Sequence, residues 1–392
     1  MNGSREDERA PDSRAWRAAE FFAGIGLAGA GLAAAGIEVA WANDISKTKF
    51  EMFRRHFGEA SAERYLVGDL GDVQPDSLPT DVDLAWASFP CTDLSVAGGR
   101  AGLHKGIASS TFWHFIKAIS KLGDARPAVI ALENVTAFAT SHSGRDIASA
   151  IKSLNGLGYT IDVLSIDAKR FLPQSRPRLF LVGSLYPVES TTEPNDARPD
   201  WLSPIFDDPS LRTHRMALPQ LPQSTTTTLA DIARLVPEGD ARWWDASRVA
   251  EYESSLSPHQ LARYESLRDE SALTIRTAYR RMRGGVPRWE MRNDEIAGCL
   301  RTSRGGSSKQ AVVELGRGCV RIRWMTPVEY AALMGAPDFT LSETPAHHAY
   351  SGFGDAVCTP VVDWLARNYL ISLLEASRCA VESDQSLESV AS

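Results

Sequence analysis

Hydrophobic positions between residues 17 and 185 fall into short apolar runs that alternate with longer amphipathic stretches. Short apolar runs bounded by polar residues are typical of buried strands, and longer stretches with helical periodicity are typical of helices. The predicted strands are Ala40–Asn43, Asp83–Phe89, Ala128–Glu133 and Arg178–Gly183, and the clearest helices are Leu27–Ala35 and Thr111–Leu122. This alternation predicts an α/β fold built on a parallel sheet.

The pattern changes after Gly183. Residues 186–225 are rich in Pro, Asp, Ser and Thr and show no clear period, which predicts a domain boundary. A new helix is predicted where Thr326-Pro327-Val328-Glu329 forms a capping box with proline in the first turn. The charged residues 1–15 and the Ser- and Glu-rich residues 376–392 are predicted to be disordered.

One uncharged segment, Phe21–Ile37, resembles the apolar core of a signal peptide. It contains five glycines and runs into Glu38 and Asp44, so neither a secretory nor a membrane segment is predicted. The five cysteines include no CxxC pair, and the eight histidines are scattered. A metal site and a disulfide framework are therefore not expected, and the composition favours a reducing cytoplasm.

Charge is distributed unevenly along the chain. The net charge is −7, from 42 basic and 49 acidic residues. Between Arg276 and Arg323, however, eleven arginines and one lysine face only four acidic residues, which gives +8 over 48 residues. Such local positive charge attracts a polyanion such as nucleic acid, although a solvated basic face is an alternative explanation.

A glycine-rich turn follows the first apolar run. Gly24, Gly26 and Gly29 match the pattern GxGxxG, and Asp44 lies twenty residues beyond Gly24. Glycines allow close approach of the backbone to a cofactor, and the acid can accept ribose hydroxyl groups. The pattern suits a nicotinamide cofactor as well as S-adenosylmethionine. Asp69 follows a third apolar run and is a candidate for binding an adenine amino group.

Reactive side chains follow two other predicted strands. Cys91 comes after the run that ends in Phe89, and Glu133 ends the next apolar run. In parallel sheets such residues meet in the crevice at the carboxyl ends of the strands. The extended segment Gln174-x-Arg176-x-Arg178 would direct three polar side chains to one face, where two guanidinium groups can hold a carbonyl and a phosphate.

These motifs, in this order, resemble the DNA (cytosine-5)-methyltransferase family. They are Phe-Ala-Gly-Ile-Gly (22–26), Asn-Asp (43–44), Gly-Asp-Leu (68–70), Pro-Cys (90–91), Glu-Asn-Val (133–135), Gln-x-Arg-x-Arg (174–178), Thr-Pro-x-Glu-Tyr-Ala-x-Leu-Met-Gly-x-Pro (326–337) and Tyr-x-x-x-Gly-Asp-Ala-Val-x-x-Pro-Val (350–361). The resemblance spans about 21–365, nearly the whole chain.

The resemblance implies a Rossmann-like, S-adenosylmethionine-dependent methyltransferase sheet with a smaller target-recognition domain. It places a catalytic and cofactor-binding domain at 16–189, a recognition domain at 190–345 and a segment returning to the catalytic domain at 346–375, between the disordered ends. The implied setting is a monomer on double-stranded DNA in the bacterial cytoplasm, associated with the nucleoid and not with a membrane. Whether a restriction nuclease or other phage-defence proteins accompany it stays open.

The resemblance also implies the reaction and the roles of individual residues. A methyl group would pass from S-adenosyl-L-methionine to C5 of a flipped-out cytosine. Cys91 would be the nucleophile, Glu133 would contact N3 and the amino group, Arg178 would hold O2, and Arg176 would steady the loop or a phosphate. The cofactor residues would be Phe22, Gly24, Gly26, Asp44, Ile45, Asp69, Leu70 and Pro90, and the DNA contacts Gln174, Arg301, Arg304 and Lys309.

The sequence departs from the family at two places. Asp355-Ala356 stands where the family usually has Asn-Ser, and Thr92-Asp93-Leu94 replaces the commoner residues after Pro-Cys. Three alternatives remain: the tRNA-methylating branch of the same family, a nicotinamide-dependent oxidoreductase, and a catalytically silent DNA-binding partner. The intact Cys91, Glu133 and arginine pair argue against the last two.

Overall fold

The structure is a computed structural model that describes residues 14–90, 110–233, 236–237, 239–302 and 309–391. Its strands are β1 (Trp16–Phe21), β2 (Ile37–Asp44), β3 (Tyr65–Val67), β4 (Leu84–Ala87), β5 (Val129–Val135), β6 (Thr160–Asp167), β7 (Pro177–Ser184), β8 (Thr274–Arg283), β9 (Val286–Met291), β10 (Ala311–Gly316) and β11 (Cys319–Trp324). Its α-helices are α1 (Leu27–Ala34), α2 (Lys47–Phe57), α3 (Glu59–Ala62), α4 (Ser110–Lys121), α5 (Arg145–Gly156), α6 (Ser203–Phe206), α7 (Leu229–Ala233), α8 (Ala246–Ser255), α9 (Pro258–Asp269), α10 (Pro327–Leu333), α11 (Ala346–Asp355), α12 (Thr359–Leu365) and α13 (Ile371–Ala391).

Seven strands form the first sheet, in the order β3-β2-β1-β4-β5-β7-β6. The predicted α/β class is confirmed, and the predicted parallel arrangement holds for five of the seven strands. The first five strands in this order run parallel, whereas β7 is antiparallel to both β5 and β6. Only residues 168–176 connect β6 to β7, which is too short for the crossover that a parallel pair requires. The reversal brings the start of β7 to the carboxyl end of β5.

Side chains of alternate residues in the central strands enter two different cores. In β4, Leu84 and Trp86 pack on one face of the sheet, while Ala85 and Ala87 pack on the other. Helices cover both faces, with α1 and α12 on one side and α4 and α5 on the other. Because both faces are buried, these strands read in the sequence as continuous apolar runs.

The edge strand β6 contacts residues after 190, which the sequence analysis placed in the second domain. Ile161 donates a backbone hydrogen bond to Arg212, and Ser165 donates one to Ala197. Leu202 and other apolar side chains of this stretch join the core of the first sheet. Helix α10 and the residues after it also pack there. The boundaries at 190 and 345 therefore need correction, because hydrophobic contacts with the first sheet continue past both.

The second sheet has the order β11-β10-β8-β9 and is antiparallel throughout. Its hairpins turn through Gly284-Gly285 and Arg317-Gly318, and all four of these residues have positive φ. Such two-residue turns match the right-handed twist of the flanking strands. A separate core, drawn from residues 252–322, contains Tyr252, Tyr264, Trp289, Met291, Val313 and Ile322. This independent core marks the second domain.

The C-terminal residues return to the first sheet and end in the helix α13. The sequence predicted disorder over 376–392, whereas α13 continues to Ala391. Residues 371–391 contain neither Gly nor Pro, and Leu373, Leu374 and Ser377 are buried, so the helix has both propensity and an anchored first half. Among the described residues, no helix is long and apolar enough to cross a membrane.

A buried ion pair joins the second sheet to α10. Arg323 of β11 donates to both oxygens of Glu329, at 2.6 and 2.8 Å, and both side chains are almost fully buried. Arg323 also donates to the carbonyl of Ala233. Glu329 completes the predicted capping box by accepting hydrogen bonds from the backbone and hydroxyl of Thr326. The pair therefore fixes β11 relative to the first sheet.

We predict that Arg323→Met lowers the free energy of unfolding by about 3–5 kcal/mol, because Glu329 would stay buried without its cation. Arg268→Met breaks an exposed pair with Asp269 and should leave the free energy of unfolding almost unchanged. Urea unfolding followed by tryptophan fluorescence measures both variants. Similar small losses for the two would contradict a stabilising role for the buried pair.

Candidate active site

A carboxylate and a guanidinium group lie together where β5 ends and β7 begins. Arg178 is paired with Val135 in the sheet register, and its Nε lies 2.8 Å from Oε1 of Glu133. Burial raises the pKa of Glu133, and the nearby Arg178 and Arg176 oppose that shift without cancelling it. Glu133 therefore holds a proton more readily than an ordinary glutamate.

The residues that follow β4 lie beside this pair. Phe89 is buried, and Pro90 is exposed at the limit of the described residues. The side-chain amide of Asn134 donates to the carbonyl of Phe89 at 3.2 Å, so the residue after Glu133 anchors the backbone just before Cys91. Cys91 itself lies outside the described residues, and its predicted role stays a prediction.

Arg176 is buried and holds backbone carbonyl groups from two distant segments. It donates to Leu300 at 2.9 Å, to Gly354 at 3.0 Å and to Ala356 at 2.5 Å. Burial lowers its pKa, and the neighbouring positive charge of Arg178 acts in the same direction. The predicted alternative in which Arg176 contacts a phosphate is therefore wrong, because its donors are directed at the protein backbone.

Gln174 is also fully buried, so the predicted contact with DNA is wrong. Its amide nitrogen donates to the carbonyl of Leu333 at 2.6 Å, and its amide oxygen accepts from the backbone of Leu300 at 3.2 Å. The extended chain here pairs with Ala297, which exchanges backbone hydrogen bonds with Pro173 and Ser175. Gln174, which the resemblance assigned to a DNA contact, therefore packs between the two domains.

The glycine turn between β1 and α1 has a special backbone conformation. Gly24 and Gly26 have φ of +60° and +81°, and Phe22 also has a positive φ, which is unusual for a non-glycine residue. A side chain on Gly26 would collide with Phe53, whereas the described residues, chain neighbours aside, place only Cδ of Lys49 near the Cβ position of Gly24, 3.8 Å away. Within the described part of the chain, Gly24 therefore leaves its outer face accessible.

The two predicted acids lie at the ends of neighbouring strands. Asp44 accepts backbone hydrogen bonds from Gly24 at 3.0 Å and from Ser46 at 2.8 Å, so it also fixes the turn. Asp69, after β3, accepts from the backbone of Gly71 at 2.8 Å, and His114 of α4 lies 3.3 Å from it. Beside these acids, Leu70 is buried and Ile45 is 67% exposed.

Comparison with known proteins decides the family. A family model described as C-5 cytosine-specific DNA methylase matches residues 16–370. The chain belongs to this family. It is therefore a DNA (cytosine-5)-methyltransferase, and its methyl donor is S-adenosyl-L-methionine.

Individual relatives agree with this assignment. The type II methyltransferase M.Bsp6I of Bacillus sp. (strain RFL6) is 26% identical over 91% of this chain and 99% of its own length. The type II methyltransferase M.HaeII of Haemophilus aegyptius is 32% identical, over 44% of this chain and 51% of its own length. Among solved structures, the S. pombe Dnmt2 methyltransferase covers 92% of this chain with a TM-score of 0.56 at 16% identity, which shows a common fold.

The residues around the glycine turn fit S-adenosyl-L-methionine. The accessible face of Gly24 admits a ligand, and Asp44 keeps acceptor capacity for ribose hydroxyl groups beyond its two backbone contacts. The exposed Ile45 offers an apolar surface for a base, and Asp69 can accept from an amino group. We therefore retain these residues as the proposed cofactor site of the methyltransferase.

Pairing within the basic stretch reduces its available charge. All four acidic residues of the stretch form ion pairs with its arginines. Arg301 is exposed and forms no ion pair among the described residues, whereas Lys309 lies over the rings of Tyr350 and Trp324, at 4.6 and 5.1 Å. Arg304 lies outside the described residues. Arg301 is therefore the best-placed of these candidates for a DNA contact.

The structure adds a thiol that the sequence did not single out. Sγ of Cys299 lies 3.5 Å from Arg176 and 3.8 Å from Arg178. Burial acts to raise its pKa, but the two guanidinium groups outweigh burial and lower it. Only the folding of residues 297–300 against β7 brings this cysteine to the site, and no motif in the sequence marks it.

We predict that Arg176→Lys lowers the stability of the fold and leaves phosphate contacts with DNA unchanged. A lysine carries its three donors on one nitrogen and cannot reach carbonyl groups that two separate guanidinium nitrogens contact, so the free energy of unfolding should fall by about 2–4 kcal/mol. The salt dependence of DNA binding, measured by titration at several ionic strengths, should keep the wild-type slope. A slope reduced by about one unit would instead indicate a lost phosphate contact.

Proposed function

We propose that this enzyme methylates a cytosine flipped out of a specific duplex site, through a transient covalent bond between Cys91 and C6 of the base. The proposal is carried by the buried pair of Glu133 and Arg178 beside the strand end that leads to Cys91. A carboxyl group with a raised pKa next to a guanidinium matches the N3 and O2 edge of cytosine. In a duplex, Watson–Crick pairing occupies this edge and stacking covers the faces of the ring, so the base must leave the helix.

The residues divide the reaction into two easier steps. The thiolate of Cys91 attacks C6, and the electrons of the C5–C6 double bond move toward N3 and O2. Glu133 donates a proton at N3, and Arg178 stabilises the charge at O2. When bound, the cofactor would supply a methyl group to C5 as its S–CH3 bond breaks and S-adenosylhomocysteine leaves, and N3 would return its proton to Glu133. Loss of the C5 proton to a base then restores the double bond and expels the thiolate.

The second domain favours duplex DNA over tRNA as the substrate. Its antiparallel sheet, its independent core and Arg301, which forms no ion pair within the described ranges, offer a separate surface near the Arg178 site. Bisulfite sequencing of plasmid DNA from cells that express the chain reports both reaction and recognition site. Methylation of tRNA but not of plasmid DNA in parallel assays would transfer the proposal to the tRNA-methylating branch.

The biological setting is part of the same proposal. The relatives named above are type II methyltransferases, and we infer that this chain likewise modifies one fixed sequence, as a monomer, to protect DNA beside a restriction nuclease or another phage-defence system. A plasmid modified in vivo should then resist a restriction nuclease that cuts the same sequence when it is unmethylated.

Cys91→Ser should abolish methyl transfer and leave cofactor binding near the wild-type value, because a neutral hydroxyl is a much weaker nucleophile than a thiolate. Duplex DNA containing 5-fluorocytosine should trap the wild type covalently, since the C5 fluorine does not leave as a proton does. Denaturing electrophoresis detects the adduct. Wild-type turnover by the serine variant would exclude Cys91 as the nucleophile.

Arg178 and Arg301 should affect different steps. Arg178→Ala should lower the single-turnover rate by about 10²–10³-fold with an unchanged salt slope, because it removes a donor to a developing charge. Arg301→Ala should weaken DNA binding, with a slope reduced by about one unit if it contacts a phosphate, and should keep the rate at saturating DNA. Rate and affinity are measured for both variants. An Arg178 variant with a normal saturated rate would remove that residue from the reaction centre.

A further inference from the structure

A cavity of about 410 Å³ lies between α2, residue 302 and α11. Its lining consists of polar and charged side chains: Ser46, Lys49, Thr302, His347, His348, Ser351 and Asp355. It lies beside the glycine turn, because the aliphatic part of Lys49 passes 3.8 Å from the Cβ position of Gly24. The cavity is thus adjacent to the proposed cofactor site, and its described lining includes none of the cofactor residues predicted from the motifs.

Two of the lining side chains, Lys49 and Asp355, form an ion pair. Nζ of Lys49 lies 2.8 Å from Oδ2 of Asp355, and the two side chains are 20% and 42% exposed. Burial acts to lower the pKa of Lys49, but the carboxylates of Asp355 and Asp44 outweigh it and raise that pKa. Asp355 also accepts a hydrogen bond from the hydroxyl of Thr302. One positive and one negative group are therefore held side by side at the edge of the cavity.

The sequence at this position differs from that of the resembled family. Asp355-Ala356 replaces the usual Asn-Ser, so a neutral amide and a hydroxyl are exchanged for a carboxylate and a methyl group. The carboxylate finds its cation on α2, more than three hundred residues earlier in the chain. This chain therefore presents a charged pair where the family presents neutral donors.

We propose that Lys49 and Asp355 bind the α-amino-acid end of S-adenosyl-L-methionine, with Lys49 on its carboxylate and Asp355 on its ammonium group. A zwitterion placed against an ion pair gives each charge an opposite partner without changing the net charge of the site. Charge-assisted hydrogen bonds of this kind are among the strongest available to a ligand. The proposal depends on the cofactor lying at the glycine turn, as proposed above.

Three ligands separate the contributions of the two residues in calorimetric titrations of the full chain without DNA. S-adenosylhomocysteine carries both charges of the amino-acid end. Decarboxylated S-adenosylmethionine keeps the amine and lacks the carboxylate. Methylthioadenosine, titrated to millimolar concentration, lacks the whole amino-acid end but keeps the nucleoside. Replacing a residue that binds one of the two charges should lower the affinity only for ligands that carry that charge.

Lys49→Met and Asp355→Asn should each weaken S-adenosylhomocysteine binding by at least about tenfold. For decarboxylated S-adenosylmethionine, the Asp355→Asn loss should persist and the Lys49→Met loss should disappear. Both variants should bind methylthioadenosine within about twofold of the wild type. Asp44→Ala should weaken binding of all three ligands, because all of them carry the ribose that this carboxylate is proposed to hold.

Matched controls separate charge recognition from general damage. Lys47→Met removes an exposed lysine from the same helix, and Asp363→Asn breaks an exposed pair with Arg367 on α12. Neither should change the affinity for any of the three ligands. Equal weakening of all ligands by Lys49→Met and Asp355→Asn would show that the pair only joins two helices and would overturn the proposal. Unchanged binding of S-adenosylhomocysteine would do the same.

The outcome for Asp44 tests the underlying site separately. If Asp44→Ala leaves all three affinities at the wild-type value while the wild type binds S-adenosylhomocysteine, the ribose contact proposed at the glycine turn is wrong. A ligand-dependent loss in the Lys49 and Asp355 variants would still assign the amino-acid end to their cavity. The two proposals can therefore fail independently.

Discussion

The position of the active site depends on the buried guanidinium group of Arg176. A cation removed from water must be compensated, and here the compensation comes from backbone carbonyl groups at 300, 354 and 356 rather than from a carboxylate. The first carbonyl lies in the connection between β9 and β10 of the second sheet, and the other two lie at the end of α11 and just after it. One side chain thus joins both segments to the start of β7. Because Arg178 is only two residues away, its position is set by the same contacts.

The reversed direction of β7 brings Arg178 into contact with Glu133. Parallel strands β4 and β5 end at one edge of the sheet, and the antiparallel β7 begins there. Glu133 and Arg178 are therefore brought into contact although they are 45 residues apart. Burial and the guanidinium act on the pKa of Glu133 in opposite directions, and burial prevails. A carboxyl group that is close to a cation and whose pKa is nevertheless raised is suited to share a proton with a base.

The same organisation explains why the two domains are interleaved in sequence. The second sheet has its own aromatic core, yet it is held to the first by the pair of Arg323 with Glu329 and by the contacts of Gln174. Arg323 and Glu329 are only six residues apart, whereas Gln174 contacts backbone that lies more than a hundred residues later in the chain. Residues that a motif assigns to DNA or phosphate, Gln174 and Arg176, instead maintain this arrangement. The surface left for DNA is correspondingly narrower than the +8 charge of the basic stretch suggests.

The sequence by itself determined the α/β class, the central strands to within a few residues, the capping box at Thr326 and the family, because these follow from local periodicity, capping chemistry and ordered motifs. Its family motifs also predicted Glu133 and Arg178 as site residues, and the structure places these two side chains in contact. Only the tertiary structure decided the direction of β7, the backbone role of Arg176, the burial of Gln174 and the meeting of Lys49 with Asp355. These features arise from contacts between residues far apart in the chain, and local sequence patterns carry no information about which distant carbonyl or charge a side chain will meet.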